Sequence, residues 1–353
     1  MASKRTGKEL TERQRCVLQA LVHLYIRTGK PVSSRVLARY LRRRLNLSAA
    51  SIRNVMAELE ELNYLTHPHT SAGRIPTDRG YRAYVDSLTC ARKLSEHERA
   101  IIERELHDRS DREHLWQEAS RILSTFASAI GVVQPPTIAQ LPIQRVELIP
   151  VSLRHFLAVI IFRSGTIRTF TLQSNVELAS HQIELLARLL NHYLVGRSLI
   201  TLHETLAAAQ QEFASLPEPL LAVLQHSLEQ LPSLSDTSGQ LYISGAFQLL
   251  HYPELSSAGQ LRSIAILLEQ GTLLRRLLAR YEPILQQRPL FIGIGRELQE
   301  ALLSNYAVIL ARYHLGEAHG VVGIIGPKRI FYPKAISVVY SVARRLSELC
   351  VQA

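Results

Sequence analysis

Three short apolar runs with the 3.6-residue period of amphipathic helices occupy the first 62 residues. Thr11 opens the first run and Gly29 ends it. Ser33 opens the second run, and Ser48 opens the third, which ends at Asn63. Because helices this short need a partner to cover their apolar sides, the pattern predicts three helices packed around one small core. The predicted apolar sides of the second and third helices are Val36, Leu37, Tyr40 and Leu41, and Ile52, Val55, Met56, Leu59 and Leu62.

A short β-hairpin is predicted directly after the third helix. Tyr64 and Leu65 are typical of a strand, and the stretch from Arg74 to Pro76 is typical of the strand that returns. Gly73 allows a sharp turn at the tip, and Thr77 caps a fourth helix. Three helices followed by such a hairpin form a winged helix-turn-helix, whose third helix enters the major groove of DNA.

The formal charge of +11 is concentrated in the same region. Residues 1–90 hold 16 Lys and Arg against 7 Asp and Glu, and the other 263 residues hold 25 against 23. A solvated basic face and a polyanion-binding surface would both give this charge, but its place on a winged helix-turn-helix favours DNA. Between Arg13 and Ala57 there is no acidic residue, and the basic ones are Arg13, Arg15, Arg27, Lys30, Arg35, Arg39, Arg42, Arg43, Arg44 and Arg53.

The side of the third helix opposite its apolar stripe is small and polar. Ala50 permits close approach to the groove, and Asn54 and Ser51 carry groups that read base edges. Two alternatives stay open: Ser33 and Ser48 are also helix caps, and Asn54 could bond within its own turn. Solvation is favoured for Arg13, Arg15 and Arg27 on the first helix. The predicted DNA-contacting residues are Ser33, Ser34, Arg35, Ser48, Ala50, Ser51, Arg53, Asn54, Thr70, Ser71, Gly73 and Arg74.

The rest of the chain alternates between helical and strand-like segments. Residues 91–130 are typical of one or two helices that link to a new domain. Strands are predicted at 145–151, 156–162 and 166–172, and again at 241–244, 290–294, 307–312 and 320–325. Helices are predicted at 182–195, 205–214, 220–230, 260–279 and 336–349. Strands, then helices, then strands again indicate a multidomain α+β protein with an insertion.

Long motifs at both ends resemble one family. SAASIRNVMAELEELNYL and HPHTSAGRIPTDRGYRAYVDSL resemble the heat-inducible transcription repressor HrcA of bacteria. The resemblance continues through RVELIPV, FIGIGRE, GIIGPKRIFYPKAI and VARRLSEL, and is thin between about 176 and 285. The chain departs from the family pattern at Gln248, Leu298 and Ile330, where Asn, Asn and Met are usual.

The resemblance implies a repressor of chaperone operons in the bacterial cytoplasm, associated with the nucleoid when bound. Its operator would be the inverted repeat CIRCE, bound by a homodimer, and the chaperonin GroEL would modulate its activity. The implied architecture is a winged helix-turn-helix at 1–90, a GAF-like domain at 91–175 and 289–353 with its linker helix at 91–130, and an inserted dimerising domain at 176–288.

Other classes of protein find little support in the sequence. Gly293 and Gly295 begin a GxG, but Leu298 replaces the last glycine of a dinucleotide-binding loop. No P-loop, HExxH or GxSxG motif occurs. The three scattered cysteines indicate neither disulfides nor zinc, and no apolar stretch is long enough for a membrane span. We therefore expect no enzyme, cofactor or membrane; the alternative function is a ligand-sensing regulator with a non-specific nucleic-acid-binding head.

Overall fold

The structure is a computed structural model that describes most of the chain between residues 10 and 351. Residues outside the description are 1–9, 46, 70–72, 89–93, 108–111, 138–139, 153, 164, 175–176, 178, 199–240, 256, 258, 260–261, 263–264, 267, 269–270, 317 and 352–353.

The N-terminal part has the predicted order of three helices, a hairpin and a fourth helix. Thr11 caps the first helix in a capping box with Gln14, and Gly29 ends it with a φ of 63°. Asn63 ends the third helix with a φ of 60°, as predicted. The elements are α1 (Glu12–Thr28), α2 (Ser34–Leu41), α3 (Ala49–Glu61), β1 (Leu65–Thr66), β2 (Ile75–Pro76) and α4 (Asp78–Asp86).

The predicted apolar side of α2 is only half correct. Leu37 and Leu41 are buried, but Val36 and Tyr40 are 52% and 51% exposed. Ser34 is buried at 9% exposure instead, one turn before Leu37. An eight-residue helix with apolar side chains on two sides does not reveal from sequence which side faces the core.

Five antiparallel strands form the main sheet of the C-terminal part, in the order β7-β3-β10-β9-β8. Successive residues of β9 face opposite sides: Ile309 belongs to the core that contains α9, and Leu310 to the core that contains α8. The sheet is thus covered by helices on both faces. The elements after α4 are α5 (Glu96–Glu105), α6 (Arg112–Ala127), β3 (Ile130–Gln134), β4 (Ile143–Ser152), β5 (His155–Phe162), β6 (Ile167–Gln173), α7 (Ser180–Leu194), β7 (Tyr242–Ser244), α8 (Gly271–Gln287), β8 (Leu290–Ile294), β9 (Tyr306–Leu315), β10 (Ala318–Pro327) and α9 (Tyr332–Val351).

The predicted strands are confirmed, but they do not all share one sheet. Strands β4, β5 and β6 form a separate antiparallel sheet on which α7 packs. Strand β7 pairs with β3, with Gly131 opposite Ser244. The main sheet is therefore interrupted after Gln134 and resumes at Tyr242. Strand pairing favours an insertion between these two residues over one at 176–288; the domain bounds stay a prediction.

The helices predicted as a link, α5 and α6, pack against the main sheet and α9. Helix α6 lies on β3 so closely that a Cβ on Gly131 would come 2.0 Å from the Ser120 carbonyl oxygen. The helix predicted at 260–279 is described from Gly271 and continues through Pro283 to Gln287. The helices predicted at 205–214 and 220–230 lie outside the described residues.

Candidate nucleic-acid interface

Helix α3 presents the small polar face that its sequence predicts. Ser48 caps it: the Ser48 hydroxyl accepts the Ser51 N–H at 3.1 Å. The predicted stripe residues Ile52, Val55, Met56 and Leu59 are buried. On the opposite side Ala50, Arg53, Asn54 and Ala57 are exposed, and Ser51 is partly buried. A helix with this face can approach the floor of a major groove closely.

The polar groups on this face differ in how far they are already occupied. Within the described part of the chain, the Asn54 carboxamide and the Arg53 guanidinium make no hydrogen bond or ion pair. The Ser51 hydroxyl, in contrast, lies 3.0 Å from that of Ser48. The structure thus lacks the local hydrogen bond that was the alternative role of Asn54. A free carboxamide can pair with an adenine edge through one donor and one acceptor.

Basic side chains are concentrated in the segment of the chain that contains this face. All ten basic residues between Arg13 and Ala57 are exposed, and none forms an ion pair with a described residue. Arg13, assigned to solvation from the sequence, reaches the Ser51 carbonyl oxygen at 3.5 Å and so lies beside α3. One nearby acid is already engaged, because Glu58 accepts a hydrogen bond from Gln14 at 2.8 Å. Exposed, unneutralised guanidinium groups are suited to phosphate.

The predicted contacts at the start of α2 differ in their exposure. The Ser33 hydroxyl accepts the Val36 N–H at 3.4 Å and serves as the helix cap. Ser34 is buried at 9% exposure, and its contact with DNA stays a prediction. Arg35 is exposed in the first turn of the helix.

The hairpin is tied to α3 and to the segment just before α2. Arg74 Nε lies 2.7 Å from Glu60 Oε2 as an ion pair without hydrogen-bond alignment, and His67 contacts the same carboxylate. Backbone hydrogen bonds of 2.9 Å join Arg74 to Val32 in both directions. A Cβ on Gly73 would lie 2.6 Å from the Val32 carbonyl, so close approach rather than a turn explains this glycine. Thr70 and Ser71, at the predicted tip, lie outside the described residues.

A group of residues that the sequence did not single out joins α4 to the main sheet; we call this group the seam. Asp78 Oδ1 pairs with Lys328 Nζ at 2.7 Å, and Asp78 Oδ2 accepts the Arg296 N–H at 3.0 Å. One turn later, Arg82 Nε donates to Glu297 Oε1 at 3.0 Å. The seam thereby holds the winged helix-turn-helix in a fixed orientation relative to the C-terminal sheet.

Aromatic packing closes the same seam. Tyr332 is fully buried, with ring centroids 6.3 Å from Tyr81 and 6.5 Å from Tyr84. Burial raises the pKa of the Tyr332 hydroxyl well above its ordinary value, and the hydroxyl donates to the Lys328 carbonyl at 2.8 Å. The sequence does contain an indication of the seam, because the seam residues fall within the motifs DRGYRAY, GIGRE and GPKRIFYP.

The described residues form neither a cluster of metal ligands nor a membrane-spanning helix. No three His, Cys, Asp or Glu side chains among them are grouped as metal ligands would be. None of the described helices combines the length and the apolar character that a membrane crossing needs.

Two family models match the chain. The "Winged helix-turn-helix transcription repressor, HrcA DNA-binding" model matches residues 9–87, and the "HrcA protein C terminal domain" model matches residues 113–336. The first match includes α1 to α4, and the second extends from α6 into α9. Both halves of the seam therefore lie within matched regions.

Curated relatives match over nearly the whole chain. A heat-inducible transcription repressor HrcA from Geobacter sulfurreducens is 33% identical over 343 residues, which cover 97% of this chain and 98% of that protein. One from Shouchella clausii is 34% identical over 343 residues, with 96% and 98% covered. A solved structure, described as that of a hypothetical protein at 2.2 Å resolution, is 28% identical with a TM-score of 0.59 and covers 98% of this chain and 99% of its own.

Proposed function

The chain belongs to the HrcA family of heat-inducible transcription repressors, and from this premise we propose that it represses chaperone and chaperonin operons by binding a CIRCE-type inverted repeat as a homodimer. Proteins of this family are non-enzymatic regulators with a DNA-binding winged helix. The proposal concerns the operator, the dimer and the release on heating. It also concerns the place of action, which we propose is the nucleoid in the cytoplasm.

One observation carries the proposal for DNA. Among the described residues, Asn54 and Arg53 on the exposed face of α3 have no partner, and the ten exposed basic residues from Arg13 to Arg53 form no ion pair. We assign base reading to Asn54 and Ser51. Phosphate contacts are assigned to Arg35 and Arg53, with Ala50 allowing close approach. Arg74, held by Glu60, positions the hairpin, and Thr70 and Ser71, which lie outside the described residues, stay predicted contacts.

A dimer follows from the small size of the recognition surface. One α3 helix covers only a few base pairs, so useful selectivity needs two copies on a palindrome. The three-stranded sheet offers a surface for pairing: Ile149, Val151 and Ile167 are 46%, 67% and 54% exposed. Exposed apolar residues on one small sheet are typical of an interface. We propose that a second copy covers them.

Release on heating fits a dimer of limited stability. We propose that heat separates or unfolds the dimer and that the chaperonin GroEL restores it, so that scarce chaperonin leaves the operons active. Sedimentation of the purified protein across the heat-shock range, with and without chaperonin, tests this. A soluble, intact dimer at every temperature without chaperonin contradicts it.

Fluorescence anisotropy on two labelled duplexes tests the proposed operator. We expect the protein to bind a CIRCE-type inverted repeat far more tightly than a scrambled duplex of equal composition, at both of two salt concentrations. Equal and strongly salt-dependent binding to both duplexes, from protein shown to be folded and dimeric, would instead indicate a regulator with a non-specific nucleic-acid-binding head.

A further inference from the structure

A notch opens at the edge of the main sheet, far along the chain from the winged helix. Strand β8 begins at Leu290 opposite Ala311, whereas β9 continues to Leu315. The last residues of β9 therefore have a sheet neighbour only on the β10 side among the described strands. The end of α8 and the side of α9 form the other walls, which leaves a cavity of about 360 Å³.

Arginine side chains line this notch from three separate elements. Arg288 follows α8, Arg312 lies on β9 and Arg344 lies on α9. No acidic residue is among the lining residues. Within the described part of the chain Arg288 and Arg312 form no ion pair, and Arg344 reaches Glu348 only at 3.4 Å on the surface. Three like charges around one concave surface repel one another unless an anion enters.

The neighbouring polar groups are engaged with other partners: Asp86 and Glu297 line the adjoining cavity with Arg288, but both pair with Arg82. The Ser347 hydroxyl accepts the His314 N–H at 3.0 Å and donates to the Ala343 carbonyl at 2.9 Å. Burial, then the charge of Arg312, lowers the pKa of His314. Arg312 also helps to lower the pKa of Glu282, but the main cause of that shift is the hydrogen bond between this carboxylate and His319, at 2.7 Å.

The remaining walls suit a small organic ligand. Tyr340 is half exposed and offers the face or edge of a ring. Leu285, Pro289 and Ala343 add apolar surface. A cavity of this size lies within the range that small-molecule sites occupy, roughly 300–1,000 Å³, and guanidinium groups bind phosphate through paired N–H donors.

We propose that the notch binds the phosphate of a small phosphorylated ligand through Arg288, Arg312 and Arg344. The phosphate replaces the missing counter-charge, and the Tyr340 ring lies beside the rest of the ligand. This site is separate from the α3 face, and the proposal does not depend on the identity of the operator.

Isothermal titration of the full chain with inorganic pyrophosphate tests the site. Arg312→Gln should weaken pyrophosphate binding at least tenfold, and Arg344→Gln should do the same. Arg344 is 63% exposed at its side chain, so this second variant tests the proposal even if Arg312→Gln does not fold. Arg99→Gln removes an exposed arginine from α5 and serves as the matched control. Undiminished binding in both notch variants, or no binding by the unmodified protein, overturns the proposal.

A second measurement separates a free ligand from the DNA backbone, which carries the same phosphate group. Pyrophosphate should raise the His314 pKa, followed by NMR, in the unmodified protein and not in Arg312→Gln. A saturating scrambled duplex should leave that effect intact. If the duplex displaces pyrophosphate, and Arg344→Gln weakens duplex binding as much as pyrophosphate binding, the notch is a DNA contact and the free-ligand proposal is wrong.

Discussion

At the scale of single residues, Asn54 on α3 carries the sharpest expectation. Asn54→Ala should cost about 1–3 kcal/mol of binding free energy on the inverted repeat, because one bidentate base contact is lost, and should leave scrambled DNA almost unaffected. Anisotropy titrations on both duplexes measure the two effects.

Arg39→Gln is the matched comparison for Asn54, since it removes an exposed basic group from α2. It should weaken binding to both duplexes alike and reduce the salt slope by about one. An Asn54→Ala protein that keeps both its affinity and its selectivity would show that α3 does not read the bases.

Gly73 gives a prediction for stability. A Cβ there would lie 2.6 Å from the Val32 carbonyl, so Gly73→Ala must move backbone and should lower the free energy of unfolding by roughly 1–3 kcal/mol. Gly271→Ala, where the nearest heavy atom is 4.0 Å away, is the control and should be neutral or slightly stabilising. Urea titrations compare them; equal stability of the two variants contradicts the packing argument.

Local residue patterns were the most predictable from sequence. The caps Thr11, Ser33 and Ser48 and the left-handed Asn63 depend on neighbours within four positions, which the sequence displays directly. The Arg74–Glu60 pair was missed because it joins residues whose proximity depends on how the hairpin folds back. Leu298, a departure from the family pattern, is fully buried against the α8 core, where an apolar side chain fits.

At the scale of elements, the junction of α5 with α9 should respond to pH. A backbone hydrogen bond from Ser95, followed by the Lys334 ammonium at 3.0 Å, lowers the pKa of Glu98 to about 2 from the usual 4.5. Since the folded state holds this carboxylate ionised, its stabilising contribution is complete above pH 4.5 and is lost as the pH falls towards 2. Glu98→Gln should therefore destabilise the protein at pH 7 and have less effect near pH 3.

Glu96→Gln is the control for Glu98, because Glu96 is exposed in the same first turn of α5. Urea unfolding at both pH values measures the free energies. A loss on Glu98→Gln that is as large at pH 3 as at pH 7 would show that the carboxylate contributes through packing rather than charge.

The sequence predicted which segments are strands better than how they pair. The runs at β4, β5, β6 and β10 are rich in the apolar and β-branched residues that are typical of strands. Strand β3 pairs with β7, which follows more than one hundred residues later. This pairing depends on contacts that no local pattern encodes. The strand pairing therefore favours an earlier insertion than the one expected at 176–288, whose bounds stay a prediction, and β3 itself was not among the predicted strands.

At the scale of the whole molecule, the exposed side chains of the three-stranded sheet predict where two copies meet. Val151→Glu should place a charge in the proposed interface and raise the dimer Kd at least tenfold, a cost of about 1.4 kcal/mol or more. Sedimentation equilibrium measures the dimer, and anisotropy should show weaker binding to the inverted repeat. Phe247→Glu, on an exposed 3-10 turn beside β7, is the control; a Val151→Glu dimer as tight as this control contradicts the proposed interface.

The seam also affects when a newly made copy acquires its working shape. Asp78 and Lys328 stand 250 positions apart, so a ribosome adding 5–20 residues per second reaches the second on the order of tens of seconds after the first. During that interval Tyr81 and Tyr84 lack the Tyr332 ring that covers them in the finished chain. Translation of the last few dozen residues, and no earlier event in synthesis, therefore sets when the orientation of α3 becomes fixed.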